Sequence, residues 1–266
     1  MNTTPIVDSK IQWPRATYWD KPWNPILGCV PVSPACDNCY ARASTERFKG
    51  SFVPHKTSKH SPPRKGVVFC GNMTDLFGGF VYDFTVEDWI NATAGRFYEA
   101  TYLWLTKRPD EMCEILKHTV FVPKYDPDGG LYLSEIEMGN QFFGFTAENQ
   151  EWYDRRFKVW GSEKPKWTNG WLSAEPLLGP IDLLLDGLAP ESIPFKWVVV
   201  GCESGSKRRP CKIEWVESIV AQASEKGIPV FVKQLDINGK CETDISKFPE
   251  HLRIRQVPWA EKKRTY

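Results

Sequence analysis

The chain has 266 residues, of which 41% are hydrophobic and 25% charged, and its net charge is +1. This is an ordinary globular composition, sufficient for one large domain or two small ones, and it excludes a global field that would draw the chain to nucleic acid or membrane. No apolar run is long enough to span a bilayer and no N-terminal signal is evident. A cytoplasmic protein is therefore expected, whose eight cysteines serve as thiols or metal ligands rather than disulfides.

Residues 1–23 read as a peripheral extension. The next segment, "NPILGCVPVSPACDNCYARAS", places Cys29, Cys36 and Cys39 in a C-x6-C-x2-C arrangement between glycine and proline turns. A structural zinc site closes with four ligands, so His55, His60 or another cysteine would have to complete it. An iron–sulfur cluster held by three thiolates would leave one iron open. Spacing alone does not separate these two readings.

Six apolar runs follow, each ending in polar residues: "GVVFCGNMTD" (66–75), "YLWLTKRP" (102–109), "FFGFTAEN" (142–149), "NGWLSAEP" (169–176), "KWVVVGCESG" (196–205) and "PVFVKQ" (229–234). Short runs rich in Val, Phe, Trp and Leu predict buried parallel strands. Helical spacing lies between them. Val86, Trp89, Ile90, Thr93 and Phe97 share one face behind a Thr85 cap. Pro109 opens a helix carrying Met112, Ile115 and Leu116. Tyr153, Phe157 and Trp160 mark a third. Ile213, Val216, Ile219, Val220 and Ala223 mark a fourth, with Gly227 as its stop. "PPRKG" and "YDPDGG" mark turns, and 235–266 reads as a second peripheral extension.

Alternating strands and helices predict an α/β fold. The expected strand ends lie near Cys29, Asp75, Lys107, Glu148, Glu175, Glu203 and Lys233, 27 to 46 residues apart, which fits the roughly 31 residues per βα unit of a barrel. Polar residues end nearly every strand, as at a single mouth, whereas an open sheet gathers its chemistry at one switch point. The predicted architecture is a single TIM-type (βα) barrel, full or partial, with the cysteine loop after its first strand.

Three cysteines in that position resemble the radical S-adenosylmethionine superfamily. There the usual spacing is C-x3-C-x2-C, with an aromatic residue before the third cysteine. Here the first gap is longer and Asn38 precedes Cys39, with Tyr40 after it. The ordered motifs "WNPILGCVPVSPACDNCYA", "GNMTDLF", "LTKRP", "GFTAEN", "LSAEPLLGPI", "VVVGCESG" and "PVFVKQ" resemble, from Trp23 to Gln234, a phage-associated three-cysteine family of uncharacterised phage proteins. Ala35 and Cys202 stand where that family usually has glycine. "GNMTDLF" and "LTKRP" are also similar to second- and third-strand motifs of spore photoproduct lyase-like enzymes, which act on DNA.

The resemblance implies a 4Fe–4S cluster on Cys29, Cys36 and Cys39. It implies S-adenosylmethionine on the open iron, reduced to a 5′-deoxyadenosyl radical that abstracts hydrogen from the substrate. An electron donor such as a flavodoxin is implied as a partner. Gly71, Asn72, Thr74 and Asp75 would lie beside the cofactor's amino group, Lys107 with Arg108 would hold a carboxylate or phosphate, and Glu148 with Asn149 would hold the ribose. The substrate is unknown, with a nucleotide or nucleic acid the first choice, and a partner protein that completes the site is a further candidate.

Some roles follow from the residues themselves. Glu175 and Glu203 follow apolar residues, where a desolvated carboxylate is costly without a partner. They are candidate catalytic groups together with Lys233, and Lys233 and Gln234 at the last strand end are their natural partners. Arg208 and Arg209 follow a Gly-Ser loop suited to an anion. Cys202 is a candidate hydrogen-atom donor or extra ligand, although such a cysteine is more often a buried filler. Cys70, Cys113, Cys211 and Cys241 read as structural. Between Arg47 and Thr74 lie six Lys/Arg, two His and no acid, a stretch that fits a nucleic-acid backbone or a solvated connection. The alternative reading is a zinc-stabilised nucleic-acid-binding protein without radical chemistry. A metal-dependent hydrolase is disfavoured, because none of the four histidines lies at an expected strand end.

Overall fold

All six apolar runs form strands. The computed structural model describes residues 13, 15–59, 61–81, 83–94, 99–118, 121–125, 131–135, 139–166 and 168–259. The fold is α/β with mostly parallel strands, in two units. Among the described residues no helix is long and apolar enough to cross a membrane.

The first unit comprises Trp19–Thr146 with Glu151–Gly170. In chain order it has β1 (Lys21–Trp23), β2 (Ile26–Leu27), α1 (Tyr40–Lys49), β3 (His55–Lys56), β4 (Lys65–Cys70), α2 (Asp83–Thr93), β5 (Glu99–Thr106), α3 (Pro109–His118), β6 (Phe121–Tyr125), β7 (Leu131–Glu135), β8 (Gln141–Thr146) and α4 (Gln150–Glu163). β1, β4, β5 and β8 lie side by side in parallel, while β2–β3 and β6–β7 are separate antiparallel pairs. The apolar side chains of β4, β5 and β8 are buried on both strand faces, as helix-covered parallel strands require. Trp104 stacks on Phe143 at 6.3 Å and meets Trp23 edge-on at 6.2 Å. The one buried amide among them, Gln141, is satisfied. It accepts from Trp104 Nε1 at 2.5 Å and donates to Thr93 Oγ1 at 2.8 Å.

α2 starts at Asp83, so Thr85 lies inside the helix rather than capping it, whereas the start of α3 follows its sequence signal. α3 opens at Pro109 with Asp110 and Glu111 in its first turn and Lys117 and His118 in its last, all favourable to the helix dipole. α4 returns Arg156 to the Thr146 carbonyl at 2.8 Å. The expected contribution of Phe97 to α2 lies outside the described residues, as does most of the "YDPDGG" turn.

The second unit comprises Met1–Tyr18, Ala147–Gln150 and Trp171–Tyr266. It contains β9 (Asn169–Ala174) from Trp171 onward, β10 (Val198–Gly201), α5 (Ile213–Glu225), β11 (Val230–Ile237) and β12 (Lys240–Glu242). β9, β10 and β11 are parallel, and β12 pairs antiparallel with β11. α5 ends as expected, with Gly227 in the left-handed region at φ +68°. Tyr18 packs edge-on against Trp171, Trp197 and Phe231 at 5.3–5.8 Å.

The terminal segments do more than decorate. Lys21–Trp23 is a strand of the first unit's sheet. Beyond β12, Phe248, Leu252 and Val257 are buried, and the backbone of 254–256 bonds to Val230 and Val232. Lys233 lies inside β11 rather than at its end, because the β12 hairpin extends the strand's pairing to Ile237.

Candidate functional site

In the first unit the loops that follow β1, β4 and β5 are knitted together. Asn24, just after β1, donates through Nδ2 to Asn72 Oδ1 at 2.7 Å and accepts from Met73 N at 3.1 Å. Gly28 has φ +88°, and a Cβ there would lie 2.5 Å from the Val53 backbone, so only glycine fits. Its carbonyl accepts from Thr74 Oγ1 at 2.5 Å. The Val30 carbonyl accepts from Arg108 Nη2 at 2.7 Å. Cys29 therefore sits between two strapped carbonyls. Tyr40, at the start of α1, donates its hydroxyl to the Asn72 carbonyl.

Asp75 is the knot of this arrangement. Its Oδ1 accepts from Thr106 Oγ1 at 2.7 Å and Phe77 N at 3.2 Å. Its Oδ2 accepts from Lys107 N and Arg108 Nη1, both at 3.0 Å. Both members of the Asp75–Arg108 ion pair are largely buried, at 9% and 14% side-chain exposure, which is where a lost partner is most costly. Gly71 at φ +76° lets the loop turn, where a Cβ would strike Leu76.

Cys29, Cys36 and Cys39 are all free thiols of intermediate exposure. Cys36 ends a short 3-10 turn, and Cys39 directly precedes α1. Burial pushes the Cys29 thiol up, the Asp75 charge adds to this, and Arg108 opposes it. A cationic metal would favour its thiolate. Among the described residues no three His, Cys, Asp or Glu side chains are gathered to hold a metal ion. Three thiols on a loop held at several points match a three-thiolate site in number and chemistry, but their sulfurs are not gathered in this structure. Of the alternative zinc ligands, His55 is exposed and hydrogen-bonds through Nδ1 with the Val53 carbonyl at 2.8 Å, and His60 lies outside the described residues.

In the second unit Glu175 follows β9. Its Oε2 lies 2.7 Å from Lys233 Nζ, and its Oε1 accepts from Ser173 Oγ at 3.3 Å and Tyr18 Oη at 3.4 Å. A Cβ at Gly201 would press on Gln234 Cγ at 3.2 Å and only touch Glu175 Oε2 at 3.4 Å. Glu203, 4% exposed, is held by Arg209 through its backbone N at 2.7 Å and Nε at 3.0 Å. Arg208 pairs with Asp236 at 3.1 Å. Gln234 donates to the Cys202 carbonyl at 2.6 Å. Glu148 is fully buried ahead of α4, its carbonyl accepting from Leu178 N at 2.7 Å.

A family model described as "Protein of unknown function (DUF5131)" matches residues 8–251. The chain belongs to this family. No curated protein and no solved structure matches it.

The DUF5131 match spans every site residue above. Within the first unit, Gly71, Asn72, Thr74, Asp75 and Lys107 lie in the loops strapped to the cysteine segment. Within the second, Glu175 and Lys233 meet as expected, but Glu203 is held by Arg209 rather than by Lys233 or Gln234. Arg208 and Arg209, read as anion ligands, each engage a carboxylate of this chain. Sequence reasoning missed Asn24, Tyr18 and Asp236. Asn24 had a signal in the "WNP" turn, whereas Tyr18 and Asp236 had none.

Proposed function

We propose that this protein is a radical S-adenosylmethionine enzyme on a TIM-type barrel, full or partial. Cys29, Cys36 and Cys39 would hold a 4Fe–4S cluster. The observation that supports this most is the strapping of the cysteine loop to the strand-end loops of a parallel sheet, through Thr74 to Gly28 and Arg108 to Val30. A purely structural zinc knuckle has no need of that position.

Held by Cys29, Cys36 and Cys39, the cluster would supply one-electron reducing chemistry toward S-adenosylmethionine. The chain's own residues orient and enclose. Asn24 and Tyr40 fix the Asn72 segment, whose proposed role is to lie beside the cofactor's ammonium group. Asp75 holds Arg108 over the cysteine loop and fixes the Lys107 backbone. Glu175 and Lys233 form an ion pair across 2.7 Å, and their proposed role is to bind and protonate a polar group of the substrate, with a nucleotide or nucleic acid as the proposed class. An electron donor of the flavodoxin type is the proposed partner.

The test is metal and sulfide content after anaerobic reconstitution. The proposal expects about four iron and four sulfide per chain in the wild type, and loss of both in Cys36→Ala. One tightly held zinc and no sulfide would replace it with the zinc-stabilised nucleic-acid-binding reading.

A further inference from the structure

Cys202 and Cys241 place their sulfurs 3.8 Å apart. Both are held firmly. Cys202, after β10, donates its backbone N to Gln234 O at 3.2 Å and accepts from Gln234 Nε2 at 2.6 Å. Cys241 sits in β12 opposite Asp236 of β11. Their exposures differ: Cys202 is 1% exposed, whereas Cys241 is half-buried and reachable from solvent. The third nearby thiol, Cys211, is turned toward the Lys212 carbonyl at 3.8 Å.

We propose that Cys241 and Cys202 form a redox-active dithiol that takes oxidising equivalents from a low-molecular-weight disulfide. Cys241 is the outer, attacking sulfur and Cys202 the buried, resolving one. The Cys241 thiolate attacks one sulfur of the disulfide RSSR, forming a mixed disulfide and releasing one RS⁻. Cys202 gives its proton to that RS⁻ and attacks Cys241 Sγ. The second RS⁻ leaves and takes up the proton that Cys241 lost to solvent. The protein is oxidised by two electrons, and RSSR is reduced to two RSH.

The surroundings suit these roles. The Cys202 hydrogen bond, with Arg208 and Lys233 as nearby cations, holds Cys241 down to about 7 against its burial and the charge of Asp236. The same pairing and burial push Cys202 up. Burial and Asp236 push Cys211 to about 12, so it stays a thiol. A bond of about 2.05 Å needs the sulfurs to close by about 2 Å, within reach of side-chain rotation. The bond would tie β12 to the residue preceding Glu203.

The test uses the full-length reduced protein, oxidised glutathione as the probe, N-ethylmaleimide as the quench and peptide mass mapping as the readout. The proposal expects a 202–241 cross-link in the wild type, reversed by dithiothreitol. Cys202→Ser should stall with glutathione on Cys241, and Cys241→Ser should lose the cross-link. Thermal melts confirm that each variant is folded. A wild type that leaves both thiols free for maleimide, or that pairs either one elsewhere, overturns the proposal, whatever happens at Cys29, Cys36 and Cys39.

Discussion

Arg108 Nη1 lies 3.0 Å from Asp75 Oδ2, and the same guanidinium reaches the Val30 carbonyl beside Cys29 through Nη2. One buried ion pair thus couples the third-strand loop to the second-strand loop and to the cysteine segment. Removing Arg108 leaves the Asp75 carboxylate buried with one cation fewer. Arg108→Ala is expected to cost about 3–5 kcal/mol in urea unfolding. The double variant Asp75→Ala/Arg108→Ala should cost less than the two single losses added together, since the residues are in contact.

Gly28→Ala tests the backbone of the cysteine loop. The position combines φ +88° with a Cβ placed 2.5 Å from the Val53 carbonyl. The backbone conformation alone costs about 1–3 kcal/mol, and the collision adds to it. The expected outcome is a lower melting temperature together with reduced iron uptake. Gly50→Ala is the comparison, because its φ is also positive at +82° but nothing lies within 4 Å of the added Cβ. It should lose stability without losing iron.

Much of the fold was legible because buried parallel strands announce themselves as short apolar runs, and all six did. The first strand was expected to end near Cys29 but ends at Trp23, because β1 is only "KPW", three residues that include a proline. β12 was not legible, because "KCE" carries no alternating apolar pattern, and with it went the true extent of β11 around Lys233. The cysteine loop was visible from spacing, but its straps join residues 46 and 78 positions apart. Arg208 looked free for an anion because nothing local reveals Asp236. The approach of the Cys202 and Cys241 sulfurs to 3.8 Å was not legible because the two residues lie 39 positions apart.

Removing residues 253–266 tests whether the C-terminal segment belongs to the core. The deletion strips the Val232 N to Ile254 O bond at 2.8 Å and the Gln256 N to Val230 O bond at 2.9 Å. It also removes the acceptor of Trp197 Nε1 at 2.9 Å. The truncated chain is expected to melt well below the full chain or to aggregate. An unchanged melting curve would restore the view of this segment as an appendage.

The Cys241 thiol should alkylate with a midpoint near pH 7, because its thiolate is favoured chiefly by the Cys202 hydrogen bond and then by Arg208 and Lys233. Its rate with iodoacetamide should rise through pH 7 and level off above it. Cys113 and Cys211, each pushed up to about 12 by burial, should remain slow throughout. In Cys202→Ala the main stabilising contact is gone, so the Cys241 midpoint should move up toward the ordinary thiol range.

The central claim is an open cluster iron at Cys29, Cys36 and Cys39, and electron paramagnetic resonance of the anaerobically reconstituted, reduced protein tests it most directly. The account predicts a reduced-cluster signal that shifts when S-adenosylmethionine is added and is absent in Cys36→Ala. A cluster signal indifferent to S-adenosylmethionine, or no cluster signal at all, would contradict it.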